Sequence, residues 1–340
     1  MRAAEPPGAA AALEEVLVTG ERPGPGMWRV SKRNHDLWIL GMLEPLPKKM
    51  LWRSAAVDAR IAVSQVVLAP PRVSADVGFF RGLTLLPSLL RARRSPDGQT
   101  LEQALPHDLY VRWLALRVKF LRSWSDDERM RPMLAALDLY THALDASGLT
   151  SNESVWADVE QIARKHRVPI QPVTLNLKID DPKAAIRELG QISRDAEIGC
   201  LETTIARLET ELPPMRQRAN LWSLGDIDGL RAMHYADEQS ACLHAFFSVP
   251  QIRDQFFQAK EQLTDAWLAA ADDALDRNES SFAVLPMTEL LKPDGWLAKL
   301  RARGYTVVSP LAAMPGGAGH GGADGVNQRV DRPLVHVQTD

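Results

Sequence analysis

Apolar residues run unbroken from Phe282 to Leu285 and give way to Pro286-Met287-Thr288-Glu289. The run has strand length and the following stretch reads as a polar corner. A helix is predicted from about Asp294, with Trp296, Leu297 and Leu300 on one side. Gly304 stands where a left-handed residue ends a helix, and a second β-rich run reaches Val308. A strand–corner–helix–strand unit normally gives two parallel strands joined by a right-handed crossover. Ligands in such sheets sit off the carboxyl ends of the strands, which directs attention to the corner Met287–Glu289.

The same order of residues occurs near the other end. Trp38-Ile39-Leu40 leads to Gly41-Met42-Leu43-Glu44-Pro45, then to a helix-compatible stretch from about Leu51 to Val63, then to Gln65-Val66-Val67-Leu68. Glu44 and Glu289 each follow a turn residue, Gly41 or Pro286, by three positions and a Met by two. A degenerate two-fold repeat with corners converging on one cleft is one reading of this match. Chance similarity of two short stretches is the other.

The rest of the pattern fills in the frame. Met27–Val30 and Leu37–Leu40 flank a polar turn and predict a β-hairpin. Val73 to Leu90, broken by Gly and Pro, reads as loop or short helix, and Arg91–Arg94 as a solvated basic turn. Helical periodicity covers Leu101 to Leu144, where Trp113 and Trp124 read as core. Thr150-Ser151-Asn152-Glu153 has capping-box spacing and predicts a helix to about His166. Ile170–Leu175 then reads as one short strand, with Pro172 arguing for an edge. In the second half, Asp180 or Asp181 caps a helix with Pro182 at its first position, and an amphipathic pattern from Ile198 stops at Pro213-Pro214. Asp226 reads as the next cap, and one long helix runs from about Gln251 to Arg277.

These segments predict residues 1–26 as a flexible leader and residues 27–310 as a single α/β domain. Its halves meet near residue 175, and 311–340 form a disordered Gly-rich tail. The fold class is a mixed, mainly parallel sheet with helices on both faces and a helical insert. Composition narrows the function. With 40 basic and 43 acidic residues the formal charge is −3, which argues against a nucleic-acid or membrane-surface partner. No apolar run approaches the ~18 residues of a membrane span. The N-terminus lacks the basic and apolar regions of a secretory signal as written, which leaves the cytoplasm open.

The opening Met27–Glu44, the middle stretch Leu221-Trp222-Ser223-Leu224-Gly225-Asp226 and the closing Phe282–Val307 resemble the TraB/GumN family, whose relatives include the Tiki metalloproteases. The family opens with a Trp-containing hairpin and a Gly-x-x-His corner. It closes with a strand, a second such corner, and Leu-x-x-x-Gly-Tyr-x-Val. The resemblance implies a cleft between the two corners, lined by Gly41, Met42, Pro286, Met287 and Thr288. In the relatives thought to be hydrolases, the corner histidines and a strand-end Glu form a metal-dependent site. This chain has Glu44 and Glu289 in place of the histidines, Pro286 in place of the second Gly and Ala69 in place of the strand-end Glu.

Carboxylate-only sites suit magnesium, calcium or manganese better than zinc, and two carboxylates without a third strong ligand make a weak site. No metal ligand set is therefore assigned and no cofactor is expected, although a divalent metal would be needed if the chain were a metal-dependent enzyme. Glu44 and Glu289 are the candidate catalytic pair, as acid and base or as metal ligands. The alternative is that they stabilise the corners or the helices that follow. The eight histidines form no His-Glu-x-x-His, and His234 and His244 read as ordinary residues. The family's tendency to be exported favours a periplasmic or secreted protein and a disulfide between Cys200 and Cys242; in the cytosol they would be two buried thiols. Two functions follow: a degenerate, non-catalytic binding or scaffold protein of the cell envelope, or a peptidase-like hydrolase. The partner, whether small molecule, peptide or envelope protein, is not specified by these residues.

Overall fold

Alternation sets up the first hairpin. In β1 (Met27–Lys32) Trp28 and Val30 are buried while Arg29 is exposed; β2 (His35–Met42) turns Leu37 and Ile39 inward. The strands pair antiparallel from Met27↔Leu40 to Lys32↔His35 around a two-residue turn in which Arg33 takes φ 54°. These features come from a computed structural model that describes residues 24–76, 85, 87–88, 90–121, 127–151, 154–178, 181–233 and 240–310.

A six-stranded sheet carries the fold. Its strand order is β10-β1-β2-β9-β4-β7, with β4 at Val67–Leu68, β7 at Ile170–Gln171, β9 at Ser280–Pro286 and β10 at Thr306–Val308. The centre is the parallel pair β2 and β9, and β4 and β7 continue the parallel direction. The other side is antiparallel, β1 against β2 and β10 against β1. Ile39, Leu40 and the run from Phe282 to Leu285 are fully buried at consecutive positions, so protein covers both faces of the central pair. β2 is followed by α1 (Ala55–Ala62) and then β4, beyond β9. The chain after β9 passes through two helices to β10, beyond β1.

A second, helical layer has its own core. It contains α2 (Leu101–Ala104), α3 (His107–Phe120), α4 (Pro132–Ala146), α7 (Arg194–Thr210) and α10 (Ser240–Phe247), packed through Leu109, Trp113, Leu139, Leu201 and Ile205. The Cys200–Cys242 disulfide ties α7 to α10 across 42 residues. Arg131 and Glu197 form an ion pair buried in the same layer. Burial pushes the Glu197 carboxyl above its ordinary range, and Arg131 beside it opposes that shift. α5 (Ser154–His166), α8 (Leu212–Leu224) and α9 (Ile227–Ala232) pack on the sheet core through Val159, Trp222 and Leu230, and α6 (Pro182–Leu189) touches the helical core through Leu189. The long helix α11 (Pro250–Arg277) packs Ile252 against the helical core and Trp267, Leu268 and Ala271 against the sheet core.

Several sequence expectations change. Arg72–Asp76, expected as loop or helix, is strand β5, and it pairs in parallel with β8 (Thr174–Lys178). Ile170–Leu175 is therefore not one strand; it divides at Pro172-Val173 into β7 on the sheet edge and β8 in a separate ribbon. Thr150, expected as the cap of α5, belongs to β6 (Leu149–Thr150), which pairs with β3 (Leu46–Pro47); Asn152 and Glu153 of the expected capping box lie outside the described residues. Pro213 and Pro214 lie in the first turn of α8, where missing N–H groups are tolerated, so they open a helix as well as follow one. The helix after the first corner begins at Ala55 rather than near Leu51. Gly24, expected within the leader, donates its N–H to the Ser223 carbonyl at 3.1 Å. Trp113 is core as expected, whereas Trp124 lies outside the described residues. Asp181, Asp226 and Gly304 take the expected capping roles, Gly304 at φ +86°, and Gly225 ends α8 (Leu212–Leu224) at φ +70° without having been expected to.

The Trp222 indole donates to the Gly41 carbonyl at 2.7 Å in a buried setting, joining α8 to the end of β2. Trp222→Phe removes that donor and strands the carbonyl. It should cost about 1–3 kcal/mol in denaturant unfolding with an unchanged m-value. Between α1 and α5, hydrogen bonds from Lys165 and His166 hold the Asp58 carboxyl below its usual range. A depressed carboxylate adds stability above its unfolded value of about 3.9 and loses it as pH falls through the folded value. Asp58→Asn should cost up to about 1 kcal/mol at neutral pH, since the group is partly exposed. In unfolding curves at falling pH, the gap to the wild type should close below about pH 4.

Candidate functional site

The corners are built by the central strands. In the β2–β9 register Gly41 pairs with Leu285 and Met42 with Pro286, so both strands end at one level. Beyond β2 the chain passes through Leu43 and Glu44 into a cis Glu44–Pro45 bond and then β3. Beyond β9 the expected polar corner is partly helical: Met287–Leu291 form α12, with Pro286 before its first turn. Gly295 then leads into α13 (Trp296–Ala302), and Trp296 packs against Trp267 of α11 at 4.9 Å between ring centroids.

Side chains fill the ground between the two strand ends. A Cβ placed on Gly41 would lie 2.5 Å from Met287 Cε, 3.0 Å from Met287 Sδ and 3.1 Å from Leu290 Cδ1. Met287 and Leu290 are both buried. A side chain at position 41 would have to displace the end of the Met287 side chain, which occupies that volume. Met42, Pro286 and Thr288 are half-buried around this plug.

The two carboxylates sit in different surroundings. Glu289, in the first turn of α12, receives a hydrogen bond from Lys292 Nζ at 2.8 Å and lies 3.7 Å from Lys260 Nζ of α11. Its side chain is 16% exposed, so two ammonium groups offset a largely buried charge. Glu44 is half-buried with its Oε1 shielded from solvent. Ala69 follows β4 and donates its N–H to the Gln171 carbonyl at 2.9 Å. Among the described residues no group of three or more His, Cys, Asp or Glu is placed to hold a metal ion. His244 is exposed and His234 lies outside the described residues.

Sequence reading missed an open groove of about 500 Å³ elsewhere on the molecule. It is lined by Gly24-Pro25-Gly26 and Pro310, by Ala56, Ala59 and Arg60 of α1 with Val63 at its C-cap, and by Trp38 of β2. The Arg60 guanidinium stands 3.9 Å from the centre of the Trp38 indole, and Arg29 stands 6.0 Å from it. The spacing of Ala56, Ala59 and Val63 along one helical face was the available signal. Their opposing wall comes from both ends of the chain and has no local pattern.

A mixed sheet with a parallel central pair, packed by helices, defines an α/β protein. The chain belongs to the TraB/PrgY/gumN family, whose model matches residues 26–309. No curated protein and no solved structure matches the chain.

Gly41→Ala should cost about 1–3 kcal/mol of stability by overpacking against Met287. Adding Met287→Ala should relieve part of that cost. A coupling of at least about 0.5 kcal/mol in a double-mutant unfolding cycle would confirm that one side chain fills the space.

Proposed function

We propose that this protein is a non-catalytic binding protein of the TraB/PrgY/gumN family, acting in the cell envelope. The observation carrying this reading is Glu289 held by Lys292 and Lys260 beside a corner filled by Met287. Both ammonium groups approach the same oxygen, Oε1, and offset the negative charge that a general base or a metal ion would use. The donor set does not fit the metal that the family's histidine-containing members imply. One carboxylate is ion-paired, and Ala69 supplies no third ligand.

The cell-envelope part rests on the disulfide. Cys200 is fully buried and joined to Cys242, a bond that persists in oxidising compartments and is rare in the cytosol. No helix among the described residues is long and apolar enough to cross a membrane.

Elemental mass spectrometry after loading with zinc, manganese, magnesium or calcium tests the reading, alongside a peptide-hydrolysis screen. The expected result is less than ~0.1 metal per chain and no cleavage above a Glu44→Ala plus Glu289→Ala control, an order-of-magnitude margin below a bound stoichiometric ion. Near-stoichiometric metal, or cleavage that disappears in the double variant, would replace this reading with the hydrolase.

A further inference from the structure

The groove between α1 and the β1–β2 hairpin has a lining that names a ligand. Its α1 wall offers Ala56, Ala59 and Val63, and Val63 is 62% exposed. Leu224, at the end of α8, adds a side chain 40% exposed. From Ala56 to Val63 the helix rises about 10 Å. A peptide lying there would find few side-chain hydrogen-bond partners and would rely on the main chain of Gly24–Gly26 and Gly225 or on water. An acyl chain requires none.

The charge is confined to one place. Arg60 is the only charged side chain among the described residues lining the groove, and Arg29 lies against the same indole. Among the described residues neither guanidinium has a carboxylate partner; the nearby Asp58 is engaged by Lys165 and His166. At 3.9 Å the Arg60 guanidinium lies against the Trp38 ring, which accepts no conventional hydrogen bond from it. Stacking of this kind fixes the planar fork and leaves its N–H groups for a carboxylate. We propose that the groove binds a free fatty acid of medium to long chain, its acyl chain along α1 and its carboxylate on Arg60. This rests on the binding-protein reading above and gives it a ligand class and a site away from the corners.

Calorimetric titration of the full chain tests the proposal, using sodium laurate below its micellar range, with dodecylamine and acetate as matched probes. Laurate should bind saturably at one per chain, and the two controls should bind at least about tenfold more weakly. Arg60→Gln should weaken laurate roughly tenfold. Val63→Asp, which sets a like charge beside the acyl chain, should weaken it at least as much. Both positions are exposed, and circular dichroism checks that each variant folds. Absent laurate binding, equal binding of dodecylamine, or binding unchanged in both variants would overturn the proposal. A doubled mass in light scattering that both variants abolish would assign the groove to a second copy of the chain, and would also overturn it. Peptide cleavage dependent on Glu44 and Glu289 would sink the binding-protein reading instead, whatever laurate does.

Discussion

The pairing of β2 with β9 is the constraint on which the rest of the molecule depends. It runs in parallel from Asp36↔Ser280 to Met42↔Pro286 and joins residues more than two hundred positions apart. Consecutive burial on both strands, Ile39 and Leu40 on one and Phe282 to Leu285 on the other, means that both faces of the pair are packed, so its register is held by side-chain fit on two sides. The register sets Gly41 and Met42 level with Leu285 and Pro286, so the loops after both strands start from one place. Gly41 then serves two packing partners at once: its missing side chain admits Met287, and its carbonyl takes the Trp222 indole proton.

The helical layer is stabilised differently. Its core is separate from the sheet core and is crosslinked by Cys200–Cys242, with a buried Arg131–Glu197 pair whose desolvation is offset by mutual contact. What joins the two cores is α11, a helix of 28 residues and hence about 42 Å. Its first turns touch the helical layer through Ile252, and its later turns lie on the sheet through Trp267 and Leu268. Lys260 falls between those stretches and faces Glu289. The second corner therefore takes one of its charge partners from the element that bridges the two layers.

How much of this was legible follows from the range of the interactions. Phe282–Leu285, Gly304, Asp181 and Asp226 declare themselves because continuous apolarity, a left-handed residue and a side-chain cap are local effects. The family resemblance on Met27–Glu44 and Phe282–Val307 likewise placed both corners at strand ends. The pairing of Arg72–Asp76 with Thr174–Lys178 was missed although both stretches alternate, with Val73 and Ala75 in one and Leu175 and Leu177 in the other, because five residues of period two name neither a partner nor a direction. Thr150 also pairs with Leu46, a distant contact that its capping-box spacing does not announce. At the site, Glu44 and Glu289 could be named from the sequence, but Lys260 and the packing of Met287 onto Gly41 required the fold. The groove was illegible for the same reason, since Gly24 and Pro310 meet there from opposite ends of the described chain.

A carboxylate at the second corner also changes what that corner needs in order to stay folded. A neutral imidazole can sit half-buried with one hydrogen bond, whereas a carboxylate of 16% exposure carries a desolvation cost that a cation must offset. Lys292, one turn along α12, does so within the corner itself, and Lys260 does so across from α11. Both lysines reach the same oxygen of Glu289, so one buried carboxylate and its two cations form a set. On the proposed reading the corner has exchanged an open ligand position for an internal ion pair. An exposed apolar wall with a single cation, beside Trp38, then becomes the surface better suited to a ligand.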